Sequence, residues 1–263
     1  VLLAIGRTGG EGVLVLFTDY GYAGPYVGQM KAVLAVDAPG VPIIDLMHDA
    51  PAFAPRLSAY LLAALAEEVP VDSVFVAVVD PGVGGAERLP VVVRADQRWF
   101  VGPENGLFEI VRRRAEHLEQ WQIAWAPQRL SRTFHGRDLF APVAARLATN
   151  GDHKGMLRRM AVPPRREWPD DDARVVYVDG FGNLITGFRA TRMPDGGAVM
   201  IGEKTIPRRD TFSDAPVGSP FWYVNSIGLV EIAANSTSAS ALLGLRGGDP
   251  VTIVGCERGD HDH

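Results

Sequence analysis

Apolar runs at residues 13–17 and 74–79, and a mostly apolar one at 41–46 broken by Asp45, alternate with stretches of helical spacing, and this alternation constrains the fold more than any other feature of the chain. Between the runs, Val27, Met30, Val33 and Leu34 recur at helical spacing across residues 25–37, with Pro25 suited to a first turn. Residues 56–68 are rich in alanine and leucine and read as a second helix. Strands and helices in this order predict βαβ units: a Rossmann-like α/β domain with a mostly parallel sheet. A β-hairpin at residues 89–94 and 98–101, turning at Asp96-Gln97, is expected beside that sheet, followed by a helix over 106–114. Asp138 is expected to cap a helix over 139–148.

The pattern breaks at Pro163-Pro164-Arg165-Arg166-Glu167-Trp168-Pro169 and the acidic run Asp170-Asp171-Asp172. Residues 163–173 therefore read as a linker between an N-terminal α/β domain, 13–162, and a smaller C-terminal domain, 174–256. In the latter, helical spacing gives way to short β-type segments at 175–178, 184–188, 198–201, 221–224, 229–233 and 250–254. Turn signals separate them, predicting an all-β, barrel-like domain or sandwich.

Composition narrows the function. A net charge of −5 gives no basic footprint for nucleic acid or an anionic membrane, and no apolar run is long enough to span a bilayer. A lone cysteine, Cys256, excludes an internal disulfide framework and fits a reducing, cytoplasmic setting. Residues 1–12 lack the apolar centre of a signal peptide and read as a poorly ordered extension. The sequence contains no HExxH, EF-hand spacing, GxGxxG, P-loop or GxSxG pattern, and His261 and His263 sit in a tail, so no metal or separate cofactor is expected.

Polar clusters fall at the ends of the predicted strands, where open α/β sheets hold ligands. Asp80 ends the third apolar run and is followed by Pro81-Gly82-Val83-Gly84-Gly85, with Arg88 near enough in the chain to fold back onto it. Asp19, in Thr18-Asp19-Tyr20-Gly21, suits either a ribose diol or an Asx-turn. His48 reads as a structural hydrogen-bonder, and Phe53 as either core or pocket wall. His135, in Thr133-Phe134-His135-Gly136-Arg137-Asp138, is a candidate acid or base because histidine titrates near neutrality. In the second domain, Asp179-Gly180-Phe181-Gly182-Asn183, Asn225-Ser226 and Asn235-Ser236-Thr237-Ser238-Ala239 suit turns singly, and together suit an amino-acid head group and a purine edge.

Taken in order, these clusters resemble the S-adenosyl-L-methionine (SAM) hydroxide adenosyltransferases, relatives of the fluorinating and chlorinating adenosyl enzymes. Pro25-Tyr26-Val27-Gly28-Gln29-Met30-Lys31 and Val101-Gly102-Pro103-Glu104-Asn105-Gly106-Leu107 belong to the same resemblance. It implies a homotrimer with sites between subunits and a small-molecule substrate, SAM, hydrolysed to adenosine and L-methionine. The family's catalytic Asp, Arg and His map onto Asp80, Arg88 and His135, with Asp80 and Arg88 read as a pair that positions water and His135 as a proton relay. Asp19 would hold the ribose hydroxyls beside Phe53, Phe212 would stack on adenine, and the Ala239 backbone would meet the adenine edge. Asp179, Asn183 and Ser226 would bind the methionine head group. Two departures stand out: Gly24 occupies the position of a second family acid, and the loop from Asp80 to Arg88 is one residue longer than the family pattern, at Gly85-Ala86. The competing readings are a halide-using adenosyl transferase on the same scaffold and a non-catalytic adenosine- or SAM-binding protein.

Overall fold

A computed structural model describes residues 12–85, 88–149 and 155–255. Residues 1–11 of the segment read as a terminal extension, Ala86, Cys256 and the tail histidines lie outside the described residues. The chain divides into two compact units, residues up to 62 with 69–166, and residues 63–68 with those from 167 onward.

In the first unit, strands β1 (Leu14–Thr18), β2 (Ile43–Met47), β3 (Val74–Val78), β4 (Pro90–Ala95), β5 (Arg98–Pro103), β6 (Leu118–Ile123) and β7 (Leu157–Arg159) form one sheet in the order β2-β1-β3-β5-β4-β6-β7. The pairings β1–β2, β1–β3 and β3–β5 are parallel, whereas β5–β4, β4–β6 and β6–β7 are antiparallel. The sheet is thus mixed rather than mostly parallel. The expected hairpin is the reason: β5 joins the parallel set beside β3, so its hairpin partner β4 must run the other way, and from β4 through β6 to β7 the strand direction alternates.

Strands β1 and β3 are buried at every position because both faces are covered. On one face Leu14, Leu16, Val74, Val76 and Val78 meet Met30 and Leu34 of α1 (Tyr26–Asp37) and Val143 and Ala144 of a later helix, Ala141–Ala148. The alternate residues Val15, Phe17 and Phe75 are also fully buried, and Phe75 stacks on its register partner Phe100 at 4.7 Å. Each such side chain contributes about 1.5–3 kcal/mol by leaving water. Two further helices, α2 (Pro55–Glu67) and α3 (Glu109–Arg114), precede α4, the helix Ala141–Ala148. A π-helical turn, Gly136–Phe140, runs directly into α4, so no helix starts at residue 139 and Asp138 caps nothing. Its carboxylate instead accepts the Ser131 N–H at 2.8 Å and pairs with Arg137 at 2.6 Å.

The second unit carries two antiparallel sheets. Strands β8 (Asp172–Val178), β9 (Leu184–Arg189), β12 (Pro220–Val224) and β13 (Leu229–Ala234) make one, ordered β12-β13-β9-β8; β10 (Ala198–Ile201), β11 (Lys204–Ile206) and β14 (Thr252–Val254) make the other, ordered β11-β10-β14. Single bridges join Arg174 of β8 to Pro250, just before β14, and Trp222 of β12 to Arg208, just after β11. Val175, Leu184, Val199, Trp222, Val230 and Ile232 fill the core. One short helix, α5 (Ala239–Leu243), is capped by Ser238, whose hydroxyl accepts the Ala241 N–H. No described helix is long and apolar enough to cross a membrane.

Candidate active site

Because β2, β1 and β3 are neighbouring parallel strands, the loops after their carboxyl ends share one edge of the sheet. His48, after β2, is buried, with Nδ1 2.8 Å from the Thr18 hydroxyl and Nε2 3.2 Å from Asp45. Its carbonyl accepts the Gly21 N–H, so His48 braces the loops after β1 and β2, in keeping with a structural role. Asp19, after β1, accepts the Phe53 N–H on Oδ2 at 3.3 Å. Phe53 makes that bond from a left-handed backbone, φ 59°, and the residue is 76% exposed. Such a conformation costs a non-glycine residue about 1–3 kcal/mol and tends to mark ligand sites. Burial pushes the Asp19 carboxyl up, partly offset by the Phe53 bond.

Asp80 lies just past β3. Beneath it, Asn105 donates from Nδ2 to the Val79 carbonyl at 2.8 Å and accepts the Leu107 N–H on Oδ1 at 3.2 Å, pinning the end of β3 to the loop after β5. Gly84 adopts φ 82°, and a Cβ there would lie 2.5 Å from the Arg132 carbonyl oxygen, so only glycine lets this loop pack against the segment before His135. Arg88 reaches back with Nη1 2.9 Å from Asp80 Oδ2, both side chains being almost fully buried. Its Nη2 donates to His135 Nδ1 at 2.8 Å. A guanidinium can only donate, so Nδ1 is the bare nitrogen and the neutral ring carries its proton on Nε2.

Burial, outweighing the Arg88 charge and the nearby Gly82 N–H and Asn105 amide, raises the Asp80 carboxyl above the usual aspartate range. Burial likewise lowers Arg88, and burial followed by the Arg88 charge lowers His135, keeping it neutral. Neither Asp80 oxygen accepts a well-aligned hydrogen bond among the described residues, and Arg88 Nη1, although close, points off the bond axis. Each such unmet group costs about 1–3 kcal/mol, a cost that a bound water or substrate would relieve. Tyr20 adds a phenol whose ionisation is pushed up by burial and by the charges of Asp19 and Asp80, so it remains a donor. Its ring packs edge-on against Phe134 at 5.7 Å.

The second unit contains an open pocket of about 560 Å³ lined by Phe181, Asn183, Phe212, Ala234, Ser236, Thr237 and Ser238. Asp179 shapes one wall: Oδ1 accepts the N–H groups of Phe181 and Asn183, and Oδ2 accepts the Asn183 amide, each at 2.9 Å. Gly182 sits at φ 84°, and a Cβ there would lie 2.1 Å from the Ser238 hydroxyl. Phe212 stands half-exposed, edge-on to Phe221 at 5.1 Å and to Tyr223 at 5.5 Å. Ala239, fully buried, opens α5 next to Ser238. Ser226 is exposed on a separate turn held by Asn225, whose Oδ1 accepts the Ile227 and Leu229 N–H groups.

The N-terminal-domain model of the SAM hydroxide adenosyltransferase family matches residues 14–156, and its C-terminal-domain model matches residues 173–252. The chain belongs to the SAM hydroxide adenosyltransferase family. It is 40% identical over 255 residues to an (R)-S-adenosyl-L-methionine hydrolase from Thermus thermophilus, covering 90% of this chain and 97% of that protein. A fluorinase from Actinoplanes is a more distant relative, 23% identical over 296 residues, covering 93% of this chain and 98% of the fluorinase. Among solved structures, an uncharacterized conserved protein from Thermotoga maritima superposes with a TM-score of 0.81 at 29% identity, covering 92% and 99% of the two chains.

In this family member the structure gathers Asp80, Arg88 and His135 into one contact chain and joins Asp19 to Phe53. It gathers Asn183 and Phe212 around one pocket, with Asp179 bonded to Asn183, and leaves Ser226 outside that lining. Where the family often has a second acid, a Cβ on Gly24 would rest 3.4 Å from the Tyr26 ring. Sequence reasoning missed Tyr20 and the support role of Asn105, although both lie in motifs that carried the resemblance. It also missed Glu231 and Tyr223, which look like ordinary strand residues in the sequence.

Proposed function

We propose that the protein hydrolyses SAM to adenosine and L-methionine, with Asp80 handling the attacking water. The observation that carries this reading is a buried carboxylate beside Arg88, neither of whose oxygens accepts an aligned hydrogen bond among the described residues. Water attacks ribose C5′ in line with the departing sulfur. The O–C5′ bond forms, the C5′–S bond breaks with its electron pair staying on sulfur, and the sulfonium becomes the neutral thioether of methionine. The leaving group needs no acid, so the difficulty lies in orienting and deprotonating water. Asp80 accepts the water proton, and its raised pKa makes it a better acceptor than an ordinary aspartate. His135 Nδ1 is occupied by Arg88, which favours a role in fixing the guanidinium over the proton relay expected from the sequence. With His135 neutral, Asp19 and Asp80 outweigh Arg88, and the net negative site suits a sulfonium and repels a halide, favouring water over a fluorinase-like reaction.

Asp19 holds the ribose hydroxyls with Phe53 beside the sugar, Phe212 stacks on adenine and the Ala239 backbone meets the adenine edge. Asp179, Asn183 and Ser226 hold the methionine head group. The family resemblance supports these roles, as does the second-unit pocket that Asn183 and Phe212 line. We propose further that the active molecule is a homotrimer whose sites lie between neighbouring subunits, that the two β-sheets close into a barrel through their joining bridges, and that the enzyme works in the cytoplasm, as its lone cysteine favours.

The test is incubation of the purified protein with SAM in halide-free buffer, with products followed by chromatography. Equimolar adenosine and methionine are expected. Binding without turnover, or turnover only when halide is added, would overturn the reading.

A further inference from the structure

The second unit buries an acid that the reaction does not use. Glu231, on β13, is only 4% exposed, a costly position for a carboxylate unless its oxygens are met by donors. Both are met. Tyr223, its register partner across β12–β13, donates its hydroxyl to Oε1, and the Asn225 amide donates to Oε2 at 3.0 Å. Two donors aimed at the two oxygens fit the ionised form.

Each donor also supports a surface that the proposed function uses. With its amide nitrogen committed to Glu231, Asn225 keeps Oδ1 for the Ile227 N–H at 3.1 Å and the Leu229 N–H at 2.9 Å. Its own N–H and carbonyl close the turn onto Leu229 and Gly228, so the segment carrying Ser226 is held from four sides. On the other side, the Tyr223 ring forms the edge-on bed for Phe212, at 5.5 Å.

We infer that Glu231 is a positioning residue that joins the two ends of the substrate site, setting Ser226 through Asn225 and Phe212 through Tyr223. This rests on the assignment of Ser226 to the methionine end and Phe212 to the adenine end. A glutamine replacement keeps the shape of the side chain and changes what its two terminal atoms can accept. An amide offers one acceptor where Tyr223 and Asn225 need two. Either the Asn225 amide faces a second donor and turns, exposing two backbone N–H groups to its nitrogen, or the Tyr223 hydroxyl reverses.

The experiment measures KM and kcat for SAM, and the thermal midpoint, in Glu231→Gln, Ser226→Ala, Phe212→Ala and the two double variants that contain Glu231→Gln. Glu231→Gln is expected to raise KM about tenfold while kcat changes less than about threefold, in line with a lost hydrogen bond to a charged group. In the Ser226→Ala or Phe212→Ala background the same change should raise KM by only about threefold or less, because the group it acts through is already gone. An equal factor in every background would make Glu231 a general stabiliser and overturn the inference. So would a fall in kcat matching the rise in KM. If Ser226→Ala and Phe212→Ala leave KM unchanged, the assignment of the substrate ends fails and the inference with it. If they raise KM while Glu231→Gln does not, the inference alone fails. Tyr223→Phe removes a single hydrogen bond and carries the test if Glu231→Gln does not fold: its KM effect should shrink beside Phe212→Ala and persist beside Ser226→Ala, and the reverse would contradict the linkage.

Discussion

The two units treat their polar side chains in opposite ways. At the edge of the first sheet, Asp80 accepts no aligned hydrogen bond among the described residues, Arg88 and Asp80 are each pushed toward neutrality by burial, and Phe53 holds a left-handed backbone. In the second unit, Asp179, Asn183, Asn225 and Glu231 are hydrogen-bonded to one another, to Tyr223 or to backbone. Unmet electrostatic demand suits a place where charge changes during reaction, whereas a satisfied network suits a rigid recognition surface. Variants at Asp80 and Arg88 in the first unit should therefore lower kcat, and variants in the second unit should raise KM.

The largest effect should come from Asp80→Ala, with kcat falling about 10²- to 10⁴-fold, the range for loss of a positioned base, while SAM binding by calorimetry stays within a few-fold. Normal turnover in this variant would end the contrast between the units. Arg88→Ala comes next. Without the cation the Asp80 carboxyl rises further, less of it is ionised at a given pH, and the acid limb of the pH–kcat profile should move to higher pH. In the unmodified enzyme that limb should already lie above the usual aspartate range, and protonation of His135 should give no inflection near neutrality, because its pKa is pushed down. Phe212→Ala should raise KM about 5- to 100-fold, the value of stacking a base on an aromatic ring, with kcat within about twofold. A kcat loss as large as that of Asp80→Ala would erase the distinction. The smallest effect is expected from Phe53→Gly, which relieves the positive φ and should leave stability within about 1 kcal/mol of the parent by denaturant unfolding, while SAM binding weakens.

The first unit was legible in sequence wherever burial on both faces forced continuous apolar runs, as in β1 and β3. Asp19 and Asp80 stood out because acids on tight loops after such runs are easy to see, and His135 because it is a histidine in a polar turn before a helical stretch. β6, with residues Leu118-Glu119-Gln120-Trp121-Gln122-Ile123, was hidden because only Gln120 and Ile123 are buried in it, a pattern with neither period 2 nor a continuous run. Asp138 misled because an acid before an apolar helix looks the same whether it caps a new helix or sits inside a π turn that continues into one. The link from Glu231 to Tyr223 could not be read because it depends on strand register, which brings together residues eight apart across β12 and β13. Arg88 was the opposite case. Its loop was expected to be one residue longer than the family pattern, which made its place in the site less secure than that of Asp80, and the chain returns it to Asp80 at 2.9 Å.

The account turns on water as the nucleophile at C5′, oriented by Asp80. Turnover of SAM in ¹⁸O-labelled water, with mass spectrometry of the adenosine formed, tests this most directly. The predicted result is one ¹⁸O atom at the 5′ oxygen of every adenosine released, with formation lost in Asp80→Ala. Adenosine carrying no label, or labelled adenosine formed at an undiminished rate by Asp80→Ala, would contradict it.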